Sequence, residues 1–305
     1  MRFIDPKTDF AFKKIFGSDR SHAILISFLN NLVYNGDAIV TELEILNPYQ
    51  PPPIAGIKAT YLDVCAKLNS GEIVIIEMQV LNVAGFEKRV LYNAAKAYSV
   101  QLDSGAAYTT LYPVIALTIT DFNMFPDFPS VMSRFVFKER TRLTDYPSCD
   151  IELIFAELPK FTLSLKQLAS VSDQWLYFIK NAPSLELIPT SMETVPELQQ
   201  AFQIAKESNL NRAEMEEMES QQRYIQDQRG SITKALETGI EQGLQQGLQQ
   251  GLQQGLQQGL QQGLQQGQQN EKIAIAQRLL PMMDDATIAA TTGLSIDDIQ
   301  ALRST

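Results

Sequence analysis

Apolar residues recur with helical and strand periods along the first two thirds of the chain. Residues 8–16 (TDFAFKKIF) set Phe12 and Phe16 four apart, with Thr8 as N-cap and Gly17 as stop, and predict a helix. A second helical stripe over 21–34 aligns Ile24, Leu25, Phe28, Leu29 and Leu32. Residues 40–46 alternate like a strand, and the prolines of 48–53 exclude a helix there. Strands are predicted over 60–68 and 72–80, joined by Asn69-Ser70-Gly71, then a helix over 84–102. Further strands are predicted over 112–119, 134–138 and 151–158, and helices over 163–180 and 196–230. That order predicts an α/β fold, a mixed sheet flanked by helices.

Past residue 190 or so, Gln, Glu and Gly displace the apolar residues. After Gly239 comes IEQG once and then LQQG six times, ending at Gly267. In a helix a four-residue step turns about 400°, so the Leu stripe drifts by about 40° per repeat in the right-handed sense. That excludes a conventional left-handed coiled coil. A close right-handed helical association fits the repeat, and so does a flexible Gln/Gly tether. Residues 270–303 predict two short amphipathic helices around Thr292-Gly293. Ala289, Gly293 and Ile299 have helix-turn-helix spacing, but the second helix offers Asp297, Asp298 and Gln300 where a DNA reader needs basic or amide groups. An interaction module is the expectation. The chain is thus expected to divide into an α/β domain (1–190), a helical connector (191–238), the repeat (239–269) and a C-terminal helical module (270–305). Its repeat and terminal helices are expected to make it a homo-oligomer.

Charge and composition narrow the chemistry. Residues 1–190 carry 17 Lys/Arg against 20 Asp/Glu, and the remainder 8 against 15, for a net charge of −10. A protein that coats nucleic acid non-specifically would be basic, so contact with DNA must be local. The single histidine, His22, excludes Ser/His hydrolases, histidine-metal nucleases and zinc deaminases. Cys65 and Cys149 form no CxxC and no ligand cluster. No secretory signal and no membrane span are expected, which together with the two cysteines predicts a cytoplasmic protein.

The most informative stretch is YLDVCAKL-NSG-EIVIIEMQV (61–80). A three-residue loop with Gly71 in the left-handed position pairs Leu68 with Glu72 and, counting outward, Asp63 with Glu77. Opposed residues share a face, so Asp63, Glu77 and Gln79 lie together while Val74, Ile76 and Met78 point away. A two-residue loop would set Asp63 against Met78 and break the group. Two facing carboxylates amid apolar strands repel unless a cation joins them, and Mg²⁺ takes such oxygen ligands. The same residues also suit a solvated sheet face partnered by Lys67 and Arg89.

The arrangement resembles the PD-(D/E)XK nucleases, in which an Asp on one strand and Glu-x-Lys on the next form the site. DPKTDFAFKKIFG (5–17), YLDVCAKLNSGEIVIIEMQ (61–79), FEKRVLYNAAKAYS (86–99) and the Gly-repeat tail resemble, more narrowly, the Rpn recombination-promoting nucleases and transposase-like proteins. The resemblance implies a Mg²⁺-dependent DNA endonuclease, with Mn²⁺ as a substitute, working in recombination, mobile DNA or phage defence. Asp63, Glu77 and the Met78 carbonyl would be its metal ligands. Gln79 stands where the wider fold has Lys; it can orient water but carries no charge. Lys13 and Arg89 are the candidates for the missing cation. Asp9 is either an accessory acid reaching in from the first helix or a first-turn acid paired with Lys13. The alternative is a nuclease fold that is weak or silent in catalysis and acts through a self-associating tail.

Overall fold

A computed structural model describes residues 2–50, 60–103 and 105–304. The chain opens with α1 (Asp9–Phe16) and α2 (His22–Leu32). Thr8 caps α1 by accepting the Ala11 N–H, and Gly17 closes it. Next come β1 (Leu43–Leu46), β2 (Tyr49–Gln50), β3 (Thr60–Tyr61), β4 (Val64–Leu68) and β5 (Ile73–Gln79). The 60–68 strand predicted from the pattern is therefore broken at Leu62-Asp63. The Leu62 N–H bonds to the Pro48 carbonyl (3.0 Å) and leaves the main ladder. Of the Pro-rich break, residues 51–53 lie outside the described residues; Tyr49–Gln50 pairs with Thr60–Tyr61 as a separate two-stranded ladder.

The chain continues through α3 (Phe86–Ser99), β6 (Val114–Thr120), β7 (Met132–Phe135), β8 (Ile151–Glu157) and α4 (Val171–Asn181). It ends with α5 (Pro196–Ile204), α6 (Arg212–Leu279), α7 (Asp285–Thr292) and α8 (Ile296–Arg303). The single helix expected over 196–230 is two. α5 ends at Ile204 because the next residues pair with the chain start: the Ile4 N–H bonds to the Ala205 carbonyl and the Glu207 N–H to the Arg2 carbonyl. Asn211 and Glu214 then cap each other and restart the helix.

Six strands form one mixed sheet in the order β1-β4-β5-β6-β8-β7. The central β5, β6 and β8 are parallel and the outer pairings antiparallel. Phe12, Phe16, Phe28, Trp175, Phe178 and Phe202 of α1, α2, α4 and α5 pack on one face against Val74, Ile76 and Leu117. α3 covers the other face through Phe86, Val90, Ala94 and Ala97 against Cys65, Ile73 and Ile75. The expected mixed sheet flanked by helices is the fold. Helix α3 is the crossover between the parallel strands β5 and β6, which sets its first turn beside the end of β5.

The chain forms two compact units, Met1–Arg229 and Gly230–Thr305. In the second, α7 and α8 close a small core of Ala276, Ile288, Leu294 and Ile299 with the end of α6. Among the described residues no helix is long and apolar enough to cross a membrane.

Candidate metal centre

The β4–β5 hairpin turns as its loop chemistry requires. Gly71 has φ +96°, and a Cβ there would lie 2.1 Å from the Tyr112 ring, so both backbone and space demand glycine. The Leu68 N–H bonds to the Glu72 carbonyl (2.9 Å), and the ladder runs Lys67↔Ile73 to Val64↔Ile76. The ladder ends there, and Asp63 and Glu77 are the next residues outward on the two arms of the hairpin. The three-residue-loop register is the one formed.

At Asp63 the ladder changes character. Its Oδ2, not a main-chain carbonyl, accepts the Met78 N–H (2.8 Å). A strand residue's C=O projects to the same side as its N–H, so the Met78 carbonyl is directed toward this edge too. Helix α1 brings Asp9 and Lys13 to the same carboxylate. Lys13 Nζ is 2.7 Å from Asp9 Oδ1 and 3.6 Å from Asp63 Oδ1. Burial pushes the Asp63 carboxyl well above the usual range, and the hydrogen bond with Asp9 adds to this; the Met78 N–H and Lys13 only partly oppose it. Burial would raise Asp9 as well, but its bonds to Asp63 and Lys13 outweigh that and lower it. The two carboxyls are thus pushed in opposite directions, Asp63 up and Asp9 down.

Glu77 is 9 % exposed. Asn93 Nδ2 donates to its Oε1 (2.5 Å), and the Arg89 guanidinium lies 4.0 Å from its Oε2. Burial raises this carboxyl too, against the pull of Arg89 and Asn93. Arg89 rests on the Phe86 ring and donates to Gln79 Oε1 (2.5 Å), while Gln79 Nε2 donates to the Leu81 carbonyl (2.7 Å). Both candidate cations therefore reach the site, Lys13 beside Asp63 and Arg89 between Glu77 and Gln79.

Asp9, Asp63, Glu77, Met78, Gln79 and Arg89 line one cleft of about 850 Å³. Among the described residues no three His, Cys, Asp or Glu side chains converge as metal ligands; Asp9 lines the same cleft and interacts with Lys13 and Asp63. What the cleft brings together is the buried Glu77 carboxylate, the half-buried Asp63 carboxylate and one carbonyl edge. Each carboxylate is disfavoured as an anion where it sits, which a divalent cation would reverse, and all the donors are hard oxygens. The residues fit such an ion.

The sequence model of the PD-(D/E)XK nuclease family transposases matches residues 6–235. The chain belongs to this family. Membership supports a nuclease or transposase-like function. No curated protein and no solved structure matches the chain. Every residue lining the cleft falls inside the segment matched to the PD-(D/E)XK transposases.

Among the lining residues, Tyr61, Lys88 and Asn93 escaped the sequence reading as site residues, as did Lys96, which bonds to the lining residue Thr60. A signal for Asn93 and Lys96 was present. Arg89, Asn93 and Lys96 recur at helical spacing along a face of α3 that otherwise holds Val90, Ala94 and Ala97. His22 does not line the cleft, and burial pushes the Cys65 thiol up to about 12, which removes it as a nucleophile.

Proposed function

We propose that this PD-(D/E)XK chain is a Mg²⁺-dependent DNA endonuclease of the Rpn kind, with Mn²⁺ as a substitute ion. The observation that carries this is that Asp63, bonded to the Met78 N–H, and Glu77 line one cleft, with an arginine held beside Glu77. Asp63, Glu77 and the Met78 carbonyl would hold the ion. A divalent cation there supplies an activated water and offsets charge on the scissile phosphate.

The chain's own residues do the rest. Asn93 fixes the Glu77 carboxylate through Oε1, leaving Oε2 toward Arg89. Gln79 keeps one further N–H and one further lone pair beyond its bonds to Leu81 and Arg89, enough to orient a water. Arg89 provides the positive charge that glutamine lacks at the position of the usual lysine, and Lys13 adds a second near Asp63. Self-association through the LQQG repeat and the terminal helices completes the proposal, and the resemblance to Rpn proteins implies recombination, mobile DNA or phage defence as its setting.

The test is incubation of plasmid and linear DNA with intact protein, Asp63→Ala, Glu77→Ala and Arg89→Ala, with Mg²⁺ or Mn²⁺ and with chelator. Intact protein should nick and linearise plasmid only with metal. Both acid variants should be inactive, and Arg89→Ala should be slower by about 100-fold, the size of one lost electrostatic donor. Equal behaviour of intact protein and acid variants would leave a scaffold that works through its tail.

A further inference from the structure

Tyr61 ends β3 at the mouth of the cleft with 73 % of its surface exposed, its ring 4.8 Å from that of Tyr49. The opposite wall is α3, where Lys88 and Tyr92 lie four apart and Arg89 and Asn93 form the next stripe inward. The two walls are held to each other: Lys96 Nζ, buried in α3, donates to Thr60 Oγ1 (3.2 Å), the residue before Tyr61. The backbone of β3 is fixed as well, by pairing with Tyr49–Gln50 and by the bond from the Leu62 N–H to the Pro48 carbonyl. A held aromatic face thus stands open to solvent in a cleft that also holds the carboxylates of Asp63 and Glu77 and the cations Lys88 and Arg89.

We propose that this cleft takes an unpaired base of a nucleic-acid single strand, stacked on Tyr61, while Lys88 and Arg89 meet its backbone. The inference rests on the nuclease reading and names its substrate class. Only Leu62 separates Tyr61 from Asp63, a Cα span of at most about 7 Å. A base attached at or next to a phosphate held between Asp63 and Glu77 is within that reach. The cleft volume of about 850 Å³ is that of a site enclosing a small ligand, which suits a nucleotide or two and not a whole duplex. A tyrosine ring stacks only on a base whose face is free, as in single strands, bulges and frayed ends. A cross-strand tyrosine pair with no ligand would need neither the cations opposite nor the anchoring through Lys96.

The experiment uses the full chain carrying Glu77→Gln, so that strands persist in Mg²⁺. It is titrated into 2-aminopurine-labelled oligonucleotides: single-stranded DNA, single-stranded RNA of the same sequence, and duplex DNA. Fluorescence of a single strand should fall on binding and that of the intact duplex should not. Tyr61→Ala in the same background should abolish the change and weaken single-strand binding by roughly 10-fold, whereas Tyr61→Phe should keep both. A response from DNA, RNA or both supports the proposal and identifies the backbone. Equal affinity for duplex and single strand, unchanged by Tyr61→Ala, would overturn it. Thermal melting of each variant excludes unfolding, which the exposure of Tyr61 makes a small risk. Cleavage of plasmid and of single strands by the unsubstituted chain is scored separately. Cleavage of plasmid or of single strands without any Tyr61 effect sinks this inference alone, whereas absence of cleavage of both sinks the nuclease reading beneath it.

Discussion

Asp63 and Glu77 both titrate above their ordinary range, burial being the first cause for each. A carboxyl whose folded pKa exceeds its unfolded value favours the protonated fold. Its contribution to stability is complete below the unfolded value, near about pH 4, and is lost as pH rises through the folded value. Without metal, these two groups therefore weaken the protein on the alkaline side of that window. A cation needs both deprotonated, so it competes with their protons. The rise in melting temperature on adding Mg²⁺ or Mn²⁺ should be small at about pH 5 and larger at about pH 8. Asp63→Asn should remove most of that difference. A metal shift independent of pH, or one unchanged in Asp63→Asn, would place the ion elsewhere.

At the scale of elements, α1 is the part of the site held from outside the sheet. It carries Asp9 and Lys13 and is itself fastened by α6: Gln221 Oε1 accepts the Phe10 N–H (2.9 Å), and Glu214 pairs with Lys14. The Phe10 N–H is one of the amides that a helix start leaves without an internal partner. Gln221→Ala should therefore cost about 1–2 kcal/mol in urea unfolding, and Glu214→Ala, whose pair is partly solvated, less than about 1 kcal/mol. If Gln221→Ala were neutral, the α6–α1 bond would be incidental to α1. Helix α1 was legible because Thr8, Phe12, Phe16 and Gly17 are all local signals. So was the hairpin register from Lys67 against Ile73 to Val64 against Ile76, which Gly71 decides within a few residues. The break at Asp63 was not, since it depends on the Pro48 carbonyl capturing the Leu62 N–H. Nor was the gap between α5 and α6, which is set by Arg2 and Ile4, some two hundred residues away in sequence. Asn93 was half legible: its spacing from Arg89 was visible, but its bond to Glu77 joins a helix and a strand whose approach no local pattern contains.

For the molecule as a whole, the unexplained economy is that of the repeat. α6 is one helix through the entire LQQG array. Its eight glycines from Gly239 to Gly267 oppose a helix by roughly 8 kcal/mol relative to alanine. The chain offers little in return, for Leu244 to Leu264 are 59–76 % exposed and a Cβ on any of those glycines would meet no atom within 4 Å. A second copy can supply what is missing, because the same four-residue period brings each Leu beside a Gly that permits close approach, along a right-handed seam. Light scattering on the full chain should show a mass that rises with concentration, and Leu→Gln at Leu248, Leu252, Leu256 and Leu260 should abolish the rise. Gly→Ala at Gly247, Gly251, Gly255 and Gly259 separates the two physical terms. It must favour the isolated helix, by about 1 kcal/mol per site, yet it inserts methyl groups where the helices would touch. Higher helicity by circular dichroism together with a lower mass is the expected pair of results. Higher helicity at an unchanged, concentration-independent monomer mass would instead make the array a tether.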